Sequence, residues 1–147
     1  MAQKSVRVQD RDSVRNNQPV HPIAFDRLTT ADLVVDATYE GGGAGHIGDD
    51  ALAKLLPVGN QGGFRYRGTP PTPRLVALVY TGQRPEWPDE LDPHTGVFTY
   101  YGDNQTPGHL IHDTKRRGNQ ILAEAYSRAH RDAAARGGAP VFLLFQA

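Results

Sequence analysis

The stretch VYTGQRPEWPDELDPHTGVFTYYGDN, Val79–Asn104, is the most informative part of this 147-residue chain. Its left end completes the apolar run RLVALVYT, Arg74–Thr81, whose length and β-branched content predict a strand entered from the Pro70–Pro73 turn. Its right end, Val97–Tyr101, reads as a second strand, with Val97, Thr99 and Tyr101 on one face and Phe98 and Tyr100 on the other. The loop between them, Gly82–Gly96, holds the only tryptophan, Trp87, the acids Glu86, Asp89, Glu90 and Asp92, and prolines at 85, 88 and 93. Proline restricts the backbone, so such a loop can hold side chains in place without secondary structure. Aromatic rings (Tyr80, Trp87, Tyr100, Tyr101) beside carboxylates have the composition of a nucleobase pocket. A base presents two π faces for stacking and an exocyclic amine that a carboxylate can accept from. The competing reading is a core corner built on Tyr80 and Phe98 with a solvated acidic turn, and composition alone does not separate the two.

Working outward, the best helical pattern is Asn119–Arg136, where Ile121, Leu122, Ala125, Tyr126 and Ala129 form one apolar stripe. Gly137-Gly138 end it, Pro140 prevents continuation, and Val141–Phe145 is expected to be a buried final strand. Upstream, VGNQGGFRYR, Val58–Arg67, is a glycine-punctuated loop leading into a strand. Asp49 and Asp50 suit the dipole at the start of a short helix over Ala51–Leu56. Thr29 or Thr30 can cap a turn before Asp32, after which Leu33–Tyr39 reads as a strand ending at Gly41-Gly42-Gly43. Residues 1–20 are polar and aperiodic and are expected to form a loose arm, leaving 21–147 as one domain. With 16 Gly and 11 Pro marking many turns, the expected class is α+β.

No cysteine is present, which excludes disulfides, thiolate nucleophiles and cysteine-ligated zinc. The longest apolar run, Val141–Phe145, is too short to cross a bilayer, and the N-terminus lacks a secretory pattern, so a cytoplasmic location is expected. His109 and His112 have His-x-x-His spacing without an evident third ligand, so no metal or other cofactor is expected. His46 reads as a loop residue. Neither an Asp…Glu-x-Lys core nor a His-Asn-His arrangement appears, Gly41–Gly45 lacks the Lys-Ser/Thr of a phosphate loop, and Gly-x-Ser-x-Gly is absent. The chain therefore reads as a binding domain and not as an enzyme. Its formal net charge is zero, which weighs against a nucleic-acid partner, but the charges fall in blocks. Asp32–Asp50 holds acids without Lys or Arg, and Lys54–Arg84 holds Lys and Arg without acids. Glu86–Asp113 is acidic again, and Lys115–Arg136 is mostly basic. Blocks of this kind can gather positive surface on one face.

The sequence FTYYGDN at Phe98–Asn104, followed by GNQIL at Gly118–Leu122, resembles the SET-and-RING-associated (SRA) domain, which reads 5-methylcytosine by flipping it out of duplex DNA. VGNQGGFRY at Val58–Tyr66 is similar to the glycine-rich loop and strand of that domain. TYEGGGAGHIGDDALAKLL and WPDELDPHTGVFTYYGDN look closer still to the N-terminal SRA-like domains of bacterial modification-dependent (type IV) restriction endonucleases. The likeness runs from about Leu33 to Phe145, and it implies a curved, partly closed β-barrel flanked by two helices.

The resemblance also implies roles. Tyr100 matches the family's stacking tyrosine, with Trp87 or Tyr80 as the opposite face and Asp89 or Asp92 as the acid that takes the cytosine amine. Tyr101 stands where the family often carries threonine. A niche for one methyl group is worth ~1 kcal/mol, so the preference for methylated DNA should be ~tenfold. Base flipping costs a few kcal/mol, and two loops are expected to hold the opened duplex. Asn60, Gln61, Arg65 and Arg67 are the candidates on one, and Lys115, Arg116 and Arg117 on the other, directly before a helix start where phosphate can be met. The implied partner is double-stranded DNA containing 5-methylcytosine, with a nuclease domain of His-Asn-His or PD-(D/E)XK type elsewhere in the polypeptide. The alternatives are a binder of another modified base (5-hydroxymethylcytosine or an RNA base), or a small nuclease.

Overall fold

The computed structural model describes residues 6–7, 21–102, 108, 110–111 and 114–147. Its frame is a five-stranded sheet in the order β2-β1-β7-β4-β3, made of β1 (Val6–Arg7), β2 (Thr38–Tyr39), β3 (Phe64–Arg67), β4 (Leu75–Tyr80) and β7 (Val141–Gln146). A separate two-stranded hairpin pairs β5 (Glu90–Leu91) with β6 (Phe98–Thr99). The helices are α1 (Ala51–Leu55), α2 (Gly118–Arg131) and α3 (Ala133–Gly137).

The apolar runs on either side of the long central segment become the middle of the sheet. β4 and β7 pair in parallel from Leu75↔Val141 to Tyr80↔Gln146. A parallel pair needs a long crossover, which covers a sheet face. Here the crossover carries the hairpin and α2. β4 is accordingly buried on both sides. Ala77 packs with Leu52, Leu56 and Phe145 on the α1 side, while Val76 and Leu78 pack with Phe64 and Ile121 on the α2 side. A third cluster, Leu28, Ala37, Tyr39 and Ala51, joins the Phe25–Thr30 3-10 turn to α1. Fully burying a side chain such as Ile121 is worth roughly 1.5–3 kcal/mol, and Ile121 is 0% exposed.

The mixed α+β class matches the expectation, as do α1 and the strands at β3, β4 and β7. Several details differ. Among the described residues the end strands β2 and β3 do not pair with each other, so no closed barrel is seen and the expected barrel curvature is not shown. The strand expected over Leu33–Tyr39 shrinks to Thr38–Tyr39, because Asp36 takes φ 62 and turns the chain. The preceding backbone winds around the buried Tyr39 hydroxyl, which accepts the Val34 N–H at 2.7 Å and donates to the Asp32 carbonyl at 3.0 Å. Val6–Arg7, within the segment expected to be a loose arm, forms the strand between β2 and β7. The rest of that segment lies outside the described residues.

The helix expected over Asn119–Arg136 is two helices. Asp132 adopts extended backbone (φ −162) and its carboxylate caps α3 by accepting the Ala135 N–H at 2.8 Å. An interior Asp favours such a cap over continued helix. Tyr126, expected in the apolar stripe, is 68% exposed and stacks on His130. The final strand joins the sheet but is not buried throughout: Phe145 is fully buried, Val141 is 59% exposed. No helix among the described residues is long and apolar enough to cross a membrane.

Candidate functional site

A cleft of about 1040 Å³ opens between the 41–50 segment, the 60–65 loop, the end of β4 and the inner edge of the hairpin. Each wall has a local cause. The 41–50 wall is a 3-10 turn (Ile47–Asp49) closed by a capping box: His46 Nδ1 accepts the Gly48 N–H at 2.9 Å, and Asp49 accepts the Gly45 and His46 N–H groups. Asp50 then caps α1, accepting the Ala53 N–H at 2.8 Å. The opposite wall is Tyr80, Thr81 and Gly82 at the end of β4, with Trp87, Asp89 and Tyr100 from the hairpin.

The aromatic groups divide by environment. Tyr100 is half-buried, stacked on Phe98 (ring centroids 6.0 Å, 22°) and tilted against Phe64 at 6.2 Å. Its support is therefore core, while its ring lines the cleft. Trp87 also lines the cleft but is 37% exposed, with Tyr101 edge-on at 6.3 Å. Tyr80 is buried against Phe98 at 5.2 Å, and burial raises its phenol above the ordinary value of 10.0, so it stays a neutral hydroxyl. Tyr101 is 49% exposed and is not part of the cleft lining.

The two candidate acids also part company. Asp89 lines the cleft, with Oδ1 accepting the Tyr101 N–H at 2.9 Å. Asp92 lies outside the lining and serves the hairpin turn, accepting from the His94 N–H at 2.8 Å, the Thr95 N–H at 3.3 Å and the Thr95 hydroxyl at 2.6 Å.

The basic candidates fall into three groups. Arg65 is buried, bidentate on Asp50 through Nη1 at 2.6 Å and Nη2 at 2.9 Å. Arg116 lines the cleft, its guanidinium packed over Gly62. Arg67 and Lys115 are exposed and outside the cleft lining, and Arg117 is exposed with Nε donating to Gln120 at 2.8 Å. Asn60 lines the cleft, whereas Gln61 is exposed beside it. His109, His112 and most of the 103–113 segment lie outside the described residues. Among the described residues no three His, Cys, Asp or Glu side chains gather as a metal site would require.

Residue-type reasoning did not assign the 41–50 wall to the site, nor Phe64 and Arg84, which also line the cleft. The signal was present in GHIGDD, where a His and an Asp at capping-box spacing are followed by a second capping Asp. Chemically, the cleft offers a supported aromatic face, a more exposed aromatic edge, a carboxylate and a neutral phenol. That set can hold a planar heteroaromatic ring bearing an amine.

Residues 33–147 match the family described as "Restriction endonuclease AspBHI N-terminal". Two solved structures are similar. One is a DNA recognition domain of the cytosine modification-dependent restriction endonuclease LpnPI, 40% identical with a TM-score of 0.78 over 87% of this chain and 57% of that one. The other is the DNA modification-dependent restriction endonuclease AspBHI, 43% identical with a TM-score of 0.76 over 86% of this chain and 32% of that one. This chain thus spans 57% and 32% of the two solved chains. No curated protein matches.

Proposed function

The chain belongs to the restriction endonuclease AspBHI N-terminal family, and from that premise we propose that it is the DNA-recognition module of a modification-dependent restriction endonuclease, reading 5-methylcytosine by base flipping. The catalytic domain lies elsewhere in the full polypeptide in this reading. The observation that carries it is the convergence of Tyr100, Trp87 and Asp89 on one cleft.

An extruded cytosine needs aromatic planes against its faces and acceptors and donors at its edge. Tyr100 supplies the fixed plane because Phe98 and Phe64 hold its ring from behind. Trp87 closes over the other side, which suits a residue on an exposed proline-braced loop. Asp89 accepts from the N4 amine. Its backbone bond to Tyr101 uses Oδ1, and among the described residues Oδ2 has no partner. Backbone N–H groups at the end of β4 face the cytosine O2 and N3. Asn60, Arg116 and Lys115 hold the duplex around the gap.

The test is a gel-shift competition among unmodified, 5-methylcytosine and 5-hydroxymethylcytosine duplexes of one sequence. The expected result is preference for the methylated duplex of ~fivefold to ~tenfold, the worth of one buried methyl. Equal weak binding to all three duplexes would end the modified-base reading. Tighter binding to the hydroxymethylated duplex would move the substrate to that base.

A further inference from the structure

Arg65 occupies a place in the cleft that binding to a phosphate does not explain. It is 8% exposed, and its guanidinium is spent inside the protein. Nη1 and Nη2 grip the two Asp50 oxygens at 2.6 and 2.9 Å, Nε donates to the Gly62 carbonyl at 2.8 Å, and Nη1 also reaches the Gly59 carbonyl at 3.1 Å. Asp50 Oδ1 is at the same time the cap of α1. One charged pair therefore ties two adjoining walls of the cleft together: the 41–50 wall through Asp50, and the 59–63 loop through its carbonyls.

The loop needs that fastening. Its glycines at 59, 62 and 63 leave the backbone many alternatives to the native path, and Gly62 takes φ +75. Its other described anchors are the Val79 N–H to the Gly63 carbonyl at 2.7 Å and the Arg116 guanidinium lying over Gly62. Asn60, on the cleft lining, sits between the two carbonyls that Arg65 holds.

We propose that Arg65, acting with Asp50, is a positioning residue for modified-DNA recognition: it sets the 59–63 loop and the 41–50 wall at the separation the flipped base and opened duplex require, and it touches no phosphate itself. The proposal rests on the reading of this cleft as the modified-base site. A bidentate fork fixes orientation as well as distance, which an ammonium cannot do.

The experiment measures the affinity of the full chain for a 5-methylcytosine duplex and its unmodified twin over a range of salt, for wild type, Arg65→Lys and Asp50→Asn. Arg65→Ala is avoided because it strands a partly buried carboxylate. Asn still caps α1, so Asp50→Asn breaks the charge pair without removing the helix start. For both variants the methylated duplex is expected to fall to the affinity of its unmodified twin, a loss of ~fivefold to ~tenfold, with the unmodified affinity within ~twofold and the salt slope unchanged. Hydrogen exchange at the 59–63 amides should quicken in both variants while β4 stays protected. A direct bond from Arg65 to phosphate predicts the opposite signs. Arg65→Lys would then retain its affinity, and Asp50→Asn, having removed an acid beside DNA, would bind both duplexes more tightly. Either of those results, or unchanged exchange in the loop, overturns the positioning role. If wild type itself shows no methyl preference, the cleft reading fails, and the exchange measurement still decides whether Arg65 clamps the loop.

Discussion

Asp89 Oδ1 accepts the backbone N–H of Tyr101 at 2.9 Å across the hairpin, a bond that turns a loop carboxylate toward the cleft. Asp92, by contrast, closes the turn of the same hairpin through His94 and Thr95. The two acids should therefore fail differently. Asp89→Ala is expected to remove the methyl preference with a binding loss of about 1.5–3 kcal/mol, the range for a hydrogen bond to a charged group. Asp92→Ala should keep the preference and lower the thermal midpoint, since turn hydrogen bonds contribute roughly 0.5–1.5 kcal/mol each. Paired gel shifts and melting curves check this, and the reverse pattern would reassign the base-reading acid to Asp92.

The aromatic planes separate by their support. Trp87 is 37% exposed, so Trp87→Ala should leave stability within roughly 1 kcal/mol while weakening methylated-duplex binding by about 1–3 kcal/mol, the worth of one base–aromatic stack. Tyr100→Phe keeps the ring on Phe98 and Phe64 and should bind close to wild type. Tyr100→Ala should lose both stability and selectivity. Selective binding that survives Trp87→Ala and Tyr100→Ala together would show the pocket to be elsewhere.

Much of this arrangement was legible in residue patterns, and the parts that were not have identifiable causes. Alternation over Val97–Tyr101 put Phe98 and Tyr100 on one face and Val97 and Tyr101 on the other, and the first two are half-buried while the second two are exposed. The pattern could not show that only Phe98–Thr99 would find a strand partner, because that partner is the Glu90–Leu91 piece of a loop with no strand pattern of its own. Helical spacing found Ile121 and Ala125, both buried, but also enrolled Tyr126, whose amphipathic ring instead lies on His130 in solvent. Arg65 reads locally as a phosphate ligand, because it is a basic residue next to a glycine loop, and its ion pair was not legible there. Its acid partner, Asp50, lies 15 residues away in sequence and meets it only in the folded chain. Long-range ion pairs of that kind have no local signature.

Lys115, Arg116 and Arg117 should act on affinity more than on selectivity. Changing Lys115 and Arg117 to Ala is expected to weaken methylated and unmodified duplexes alike and to flatten the salt slope by about one for each phosphate left without its cation. Arg116→Ala should add a loss of selectivity, because its guanidinium also covers Gly62 at the cleft. Salt titrations of both duplexes resolve the two effects. A selectivity loss confined to Lys115→Ala would place that residue, not Arg116, at the base.

Tyr80 ties the site to stability at alkaline pH. Its phenol is buried beside Phe98, and desolvation raises its pKa above 10.0. In the unfolded chain the same phenol ionises near its ordinary value. Between the two pKa values the folded state therefore holds a proton that the unfolded state has released. Stability falls with rising pH wherever the unfolded state binds fewer protons, so the contribution is complete below the unfolded pKa and is lost as pH climbs through the folded one. Other tyrosines and lysines titrate in the same window, which makes the difference between two proteins the useful quantity. Denaturant midpoints for wild type and Tyr80→Phe should run parallel from neutral pH to about pH 9, then converge or cross above about pH 10 as the wild type alone loses this stabilisation. Curves that stay parallel through that region would mean the hydroxyl is solvated, and Tyr80 would then be a rim residue of the cleft and not part of its dry floor.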